Sequence, residues 1–172
     1  RSEMCIRDRS YPSKARVDAS RICITGRSSG GLTVLCALIQ YPDIFCAASS
    51  SYGISDLKSL SQHTHKYELH YTTTLMGGTY EDLPGVYKAR SALHHADKIR
   101  TPLLLLQGDQ DRVVAPDQSR RMARAIESHA GKIKYIEFPS EGHGFRRSDT
   151  RQRALEEEFA WCNDAARIPE VC

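Results

Sequence analysis

Apolar residues along this chain fall into short, nearly unbroken runs separated by longer stretches of mixed character. Arg21 to Thr25 (with Ile22-Cys23-Ile24 at its centre) predicts a short buried strand over 21–25. Leu32-Thr33-Val34-Leu35-Cys36-Ala37-Leu38-Ile39 predicts an apolar helix over 29–40, ended by Tyr41-Pro42. Phe45 to Ser51 reads as a second strand, closed by Tyr52-Gly53. Pro102 opens the clearest strand, Leu103-Leu104-Leu105-Leu106, which runs into Gln107-Gly108-Asp109. Pro116 suits the first turn of a helix over 116–129, which Gly131 stops. Ile133 to Phe138 alternates as a strand, Pro139 to Gly144 forms a loop, and 150–165 predicts a terminal helix. Between the second and third strands, residues 54–98 are polar and rich in His, Tyr and Thr, which predicts helix in pieces with long loops.

The order is β-α-β-(insert)-β-α-β-α. Continuous apolar strands separated by helices imply a mostly parallel sheet with helices on both faces, an α/β architecture. Residues 1–10 lack useful periodicity and are set aside as a disordered or non-native leader; 11–172 carry the fold. No internal repeat or low-complexity segment interrupts them.

A length of 172 residues fits one domain, and 40% hydrophobic with 26% charged residues is ordinary for a globular chain. The net charge of +3 comes without a basic stripe interleaved with aromatics, so nucleic acid is not an expected partner. No apolar run approaches a membrane span or a secretory h-region, so no membrane partner is expected either. The six cysteines, Cys5, Cys23, Cys36, Cys46, Cys162 and Cys172, form no C-x-x-C pair, which removes support for a zinc ribbon or a thioredoxin-like site. Cys23, Cys36 and Cys46 sit in apolar patterns and read as small buried hydrophobes. That usage slightly favours a reducing compartment, and a cytoplasmic location is the expectation.

Chemistry enters with Gly26-Arg27-Ser28-Ser29-Gly30-Gly31, placed between the first strand and the first helix. A G-x-S-x-G turn in that setting lets the backbone bend sharply and leaves Ser28 exposed and strained at the end of a strand. A nucleophilic serine needs a base to take its proton and a third group to orient the base. In open α/β sheets reacting groups collect at the carboxyl ends of strands. Asp109 and Asp111 follow the third strand and His143 follows the fourth; order alone leaves the two aspartates near parity. His143 lies between Gly142 and Gly144, where a histidine has little packing role and its ring is free to reach a serine. His63, His65, His70, His94, His95 and His129 read as surface residues. His63-x-His65 lacks an acidic or cysteine cluster, so no metal and no cofactor is expected.

These elements carry a resemblance. Gly26 to Gly31, Gly108-Asp109-Gln110-Asp111-Arg112-Val113-Val114 and Glu141-Gly142-His143-Gly144-Phe145 together resemble the catalytic domain of the prolyl oligopeptidase family of serine peptidases. Thr64-His65-Lys66-Tyr67-Glu68 looks like a segment of its acylaminoacyl-peptidase and dipeptidyl-peptidase-like branch. The resemblance spans about residues 15–165. It implies an α/β-hydrolase fold and a peptide substrate cleaved through an acyl-enzyme. It also implies a nucleophile at Ser28, a general base at His143 and an acid at Asp111, three residues before Val114, rather than at Asp109. The N–H of Ser29, the residue after the nucleophile, is the expected oxyanion donor.

The chain departs from that family in its upstream part. Nothing before Arg21 resembles the family's earlier strands, the glycine-rich segment or tyrosine that completes its oxyanion hole, or its β-propeller. Residues 11–172 are therefore read as the C-terminal part of a larger hydrolase catalytic domain, with the N-terminal strands missing and the first strand unpaired on one edge. The missing part of the same enzyme becomes an expected partner, and a homo-oligomer is compatible with this reading. A carboxylesterase or dienelactone-hydrolase-like enzyme would use the same three residues. A non-catalytic interaction protein with a hydrolase fold ranks behind both. Tyr52 and the 54–98 insert serve equally as pocket wall or as packing.

Overall fold

The computed structural model describes residues 18–63 and 72–166. Four strands form one sheet in the order β1-β2-β3-β4, every neighbouring pair parallel. They are β1 (Cys23–Arg27), β2 (Ala47–Ser51), β3 (Leu103–Gly108) and β4 (Ile133–Phe138). The helices are α1 (Ser29–Gln40), α2 (Leu57–His63), α3 (Pro84–Arg90), α4 (Pro116–Ser128) and α5 (Ser148–Ala166). A helical turn at 72–76 and a 3-10 stretch, Ala92–Lys98, complete the segment between β2 and β3. The described parts of the 54–98 insert are thus broken helix, as its mixed polarity predicts.

Leu103 to Leu106 explain the layering. All four side chains are buried, and because a strand alternates faces they supply both sides of the sheet. Leu103 and Leu105 pack with Val34, Leu35 and Leu38 of α1 and Met122, Ala123 and Ile126 of α4. Leu104 and Leu106 pack on the other face with Ile136, Phe138, Ala154 and Trp161, under α5. Each buried leucine contributes about 1.5–3 kcal/mol, so this strand anchors both layers. A third cluster, Ile54, Leu57, Leu60, Tyr87 and Val114, ties the insert to the carboxyl end of β3.

The strand carrying the glycine motif begins and ends two residues later than the apolar run suggests. Gly26 and Arg27 belong to β1, so the strand delivers the chain directly to Ser28. β1 pairs with β2 alone among the described residues, and Thr25 and Arg27 are exposed. Cys23, Cys36 and Cys46 are half-buried rather than buried. Cys23 and Cys46 sit where β1 and β2 begin, their sulfurs 3.5 Å apart, beside this open edge. Burial still dominates their chemistry and pushes each thiol up to about 11. The leader, Thr64 to Glu68, His65 and His70 lie outside the described residues. Among those described, no helix is long and apolar enough to cross a membrane.

Candidate active site

The turn after β1 is shaped by what its glycines allow. A Cβ on Gly26 would lie 2.3 Å from the Gly30 carbonyl oxygen, so the start of α1 closes onto β1 only over a bare backbone. A Cβ on Gly31 would lie 2.6 Å from the Gly53 Cα, and that absence lets α1 seat against the end of β2. Gly30 meets no such neighbour. Between them Ser28 takes φ 53° and ψ −120°, strained for a residue with a side chain. Its N–H donates to the Ser51 carbonyl at 3.0 Å, fastening the turn to β2. Its carbonyl accepts from Gly31 and Leu32 and starts α1. The Ser29 N–H stands at the N-terminus of this 12-residue helix, where the helix dipole favours negative charge.

The hydroxyl of Ser28 lies 2.8 Å from Nε2 of His143. The opposite ring nitrogen, Nδ1, lies 2.9 Å from Oδ2 of Asp111. A carboxylate only accepts, so Nδ1 carries the proton and Nε2 is left to accept from the serine. Asp111 is 4% exposed. Its Oδ1 accepts the Val113 and Val114 N–H groups, both at 2.9 Å, in a tight turn of its own making. Asp109 is exposed and its N–H donates to the Phe138 carbonyl. The structure therefore brings Ser28, His143 and Asp111 into one hydrogen-bonded line and leaves Asp109 outside it.

Three supporting residues were assigned no role from the sequence, although Glu141 and Phe145 lie within the motif around His143. Gln107, fully buried at the end of β3, donates from Nε2 to Asp111 Oδ2 at 3.1 Å and accepts the Ser119 hydroxyl at 2.8 Å. A polar residue ending an all-leucine strand was the available cue. Glu141 is 1% exposed, and its carboxylate accepts the N–H groups of Arg146 and Arg147 at 2.8 and 3.0 Å. Phe145 packs between Phe138 and Tyr52 at centroid distances of 4.9 and 5.2 Å. Of the other histidines, His94 and His129 are exposed, and His95 has Nε2 3.1 Å from the Ala89 carbonyl. No group of three histidines, cysteines or acids close enough to hold a metal occurs among the described residues.

Glu141 makes a pH prediction. Burial alone would push its carboxyl up, but the Arg146 and Arg147 N–H groups outweigh it, helped by the Thr150 hydroxyl and the Arg147 charge. The group stays below the usual 4.5. A lowered folded value means its stabilisation is fully present above the unfolded value and is lost as pH falls through the folded one. Glu141→Gln should therefore destabilise the chain at neutral pH, and the gap to wild type should narrow well below pH 4.5. Urea denaturation in the two pH ranges measures it; a gap that does not narrow would contradict the assignment.

A family model described as the prolyl oligopeptidase family matches residues 10–168. The chain belongs to that family. Dipeptidyl peptidase family member 6 of Caenorhabditis elegans is 31% identical over 140 residues, 78% of this chain and 19% of the relative. Esterase LipQ of Mycobacterium tuberculosis is 28% identical over 142 residues, 74% of this chain and 34% of the esterase. Among solved structures, a puromycin-hydrolyzing peptidase of Mycobacterium tuberculosis superposes with a TM-score of 0.86 at 39% identity, over 95% of this chain and 24% of that one. The fold is that of the α/β hydrolases, and this prolyl oligopeptidase family chain spans 19–34% of the lengths of these three proteins.

Proposed function

We propose that this chain carries the nucleophile, base and acid of a serine peptidase acting on short or N-acylated peptides through an acyl-enzyme. The observation that carries the reading is the line Ser28 Oγ–His143 Nε2 at 2.8 Å and His143 Nδ1–Asp111 Oδ2 at 2.9 Å, on a chain of a peptidase family. In the proposed reaction Ser28 attacks the substrate carbonyl as its proton passes to His143. The imidazolium then protonates the leaving amine, and Asp111 keeps Nδ1–H in place and offsets the charge. Water, deprotonated by His143, releases the acid product. The Ser29 N–H faces the oxyanion as one donor, and loss of one such donor typically costs about 2.7–4 kcal/mol.

The second donor is proposed to come from sequence preceding this chain in a longer enzyme, which would also pair the open edge of β1. Peptide and this remaining part of the enzyme are the partners proposed, and the proposed setting is cytoplasmic. A second reading, a carboxylesterase, is favoured by the match to Esterase LipQ. Turnover of N-acetyl peptide amides, puromycin and short acyl esters, by this chain and by a longer polypeptide containing it, separates these readings. Amide cleavage by the longer polypeptide, about 10²–10³-fold faster than by this chain alone, is expected. Ester turnover without amide cleavage would favour the esterase.

A further inference from the structure

We infer that Tyr52 is a positioning residue for His143, an inference that rests on the proposed roles of Ser28 and His143. Two hydrogen bonds, one from each side of the imidazole, fix the line from Ser28 to Asp111 but leave the ring free to swing about that line. The loop that carries it adds little restraint, since His143 is flanked by Gly142 and by Gly144 at φ 86°. Tyr52 supplies the missing contact: its ring centroid lies 4.9 Å from that of His143, at an interplanar angle of 65°. Edge-to-face aromatic contacts of this kind are directional and resist tilt.

The Tyr52 ring is itself held. It meets Phe145 at 5.2 Å and 89°, and Phe145 in turn meets Phe138 of β4 at 4.9 Å. The Tyr52 N–H donates to the Leu106 carbonyl at 2.6 Å, while the preceding Ser51 carbonyl accepts the Ser28 N–H. One stretch of backbone at the end of β2 thus braces both the serine turn and the imidazole. The backbone at Tyr52 is left-handed, with φ 40°, where a bulky side chain is disfavoured and glycine is not. A continuing strand would point residue 52 to the face opposite Ser51. Here Ser51 and Tyr52 instead line the same pocket of about 170 Å³, with Phe145 and Leu106. The left-handed turn at Tyr52 ends the strand where its ring meets the histidine.

Tyr52→Gly separates the two uses of this position, because it relieves the backbone and deletes the ring, whereas Tyr52→Phe keeps the ring and Tyr52→Leu keeps only bulk. The probes are the low-field Nδ1–H resonance of His143 by NMR, the rate of Ser28 phosphonylation by a fluorophosphonate, and the thermal midpoint. Tyr52→Phe should match wild type in all three. Tyr52→Leu and Tyr52→Gly should lose the resonance to exchange and react about ten- to a hundred-fold more slowly, with Tyr52→Gly no less heat-stable than wild type. Wild-type resonance and rate in both variants would overturn the inference, as would losses no larger than the fall in folded fraction. Failure of wild-type Ser28 to react at all would sink the proposed function, and the His143 resonance across the variants would still decide the role of Tyr52.

Discussion

In a longer polypeptide containing this chain, Ser28→Ala should abolish phosphonylation by fluorophosphonates and lower amide hydrolysis about 10⁶-fold. The size follows from how the parts depend on one another. Without Oγ there is no acyl-enzyme, and His143 is left as a base with nothing at 2.8 Å to deprotonate. What survives is binding and the α1 N-terminus, which on their own retain a residual about 10³–10⁴-fold over water. Folding should be untouched or slightly improved, because alanine keeps the Ser28 backbone bonds to Ser51, Gly31 and Leu32 while removing only a hydroxyl. The variant is therefore a clean test, read as kcat alongside the urea midpoint. Labelling that persists in Ser28→Ala would move the nucleophile to another residue.

The strongest signals in the sequence were those with a steric cause. Gly26 and Gly31 have to be glycine because a Cβ would strike backbone, so the motif placed the turn and the helix start at Ser29 correctly. Leu103 to Leu106 announced a strand buried on both faces, and α1 and β4 fell where periodicity put them. Strand ends were less legible. Gly26 and Arg27 carry no apolar signal, yet parallel pairing with Ser50 and Ser51 extends β1 through them. Likewise β2 begins at Ala47 rather than Phe45, since its fully buried interior is made of alanine and serine, which leave little hydrophobic contrast. The supports of the site were the least legible of all. Tyr52 meets a ring from a chain segment far away in sequence, while Gln107 and Glu141 act through side-chain bonds to nearby loop and helix residues whose geometry exists only once the loops are folded.

Asp111 and Asp109 stood level on order alone, and the geometry makes their substitutions diverge sharply. Asp111→Asn should lower turnover about 10⁴-fold, whereas Asp109→Asn, at an exposed position, should leave it nearly unchanged. The reasoning concerns a tautomer. The Val113 and Val114 N–H groups both donate to Oδ1, so an asparagine would place its carbonyl oxygen there and turn its amide nitrogen to the Oδ2 position. That nitrogen donates, and His143 Nδ1 would have to accept. The ring proton then moves to Nε2, which faces Ser28 at 2.8 Å and can no longer take the serine proton. Gln107 adds to the conflict, since its Nε2 already donates toward the same oxygen at 3.1 Å, and two donors would meet. The chain should stay folded, because the turn bonds to Oδ1 are kept. Turnover with each variant, together with the His143 nitrogen shifts that report the tautomer, measures the effect; a larger loss from Asp109→Asn than from Asp111→Asn would reverse the assignment.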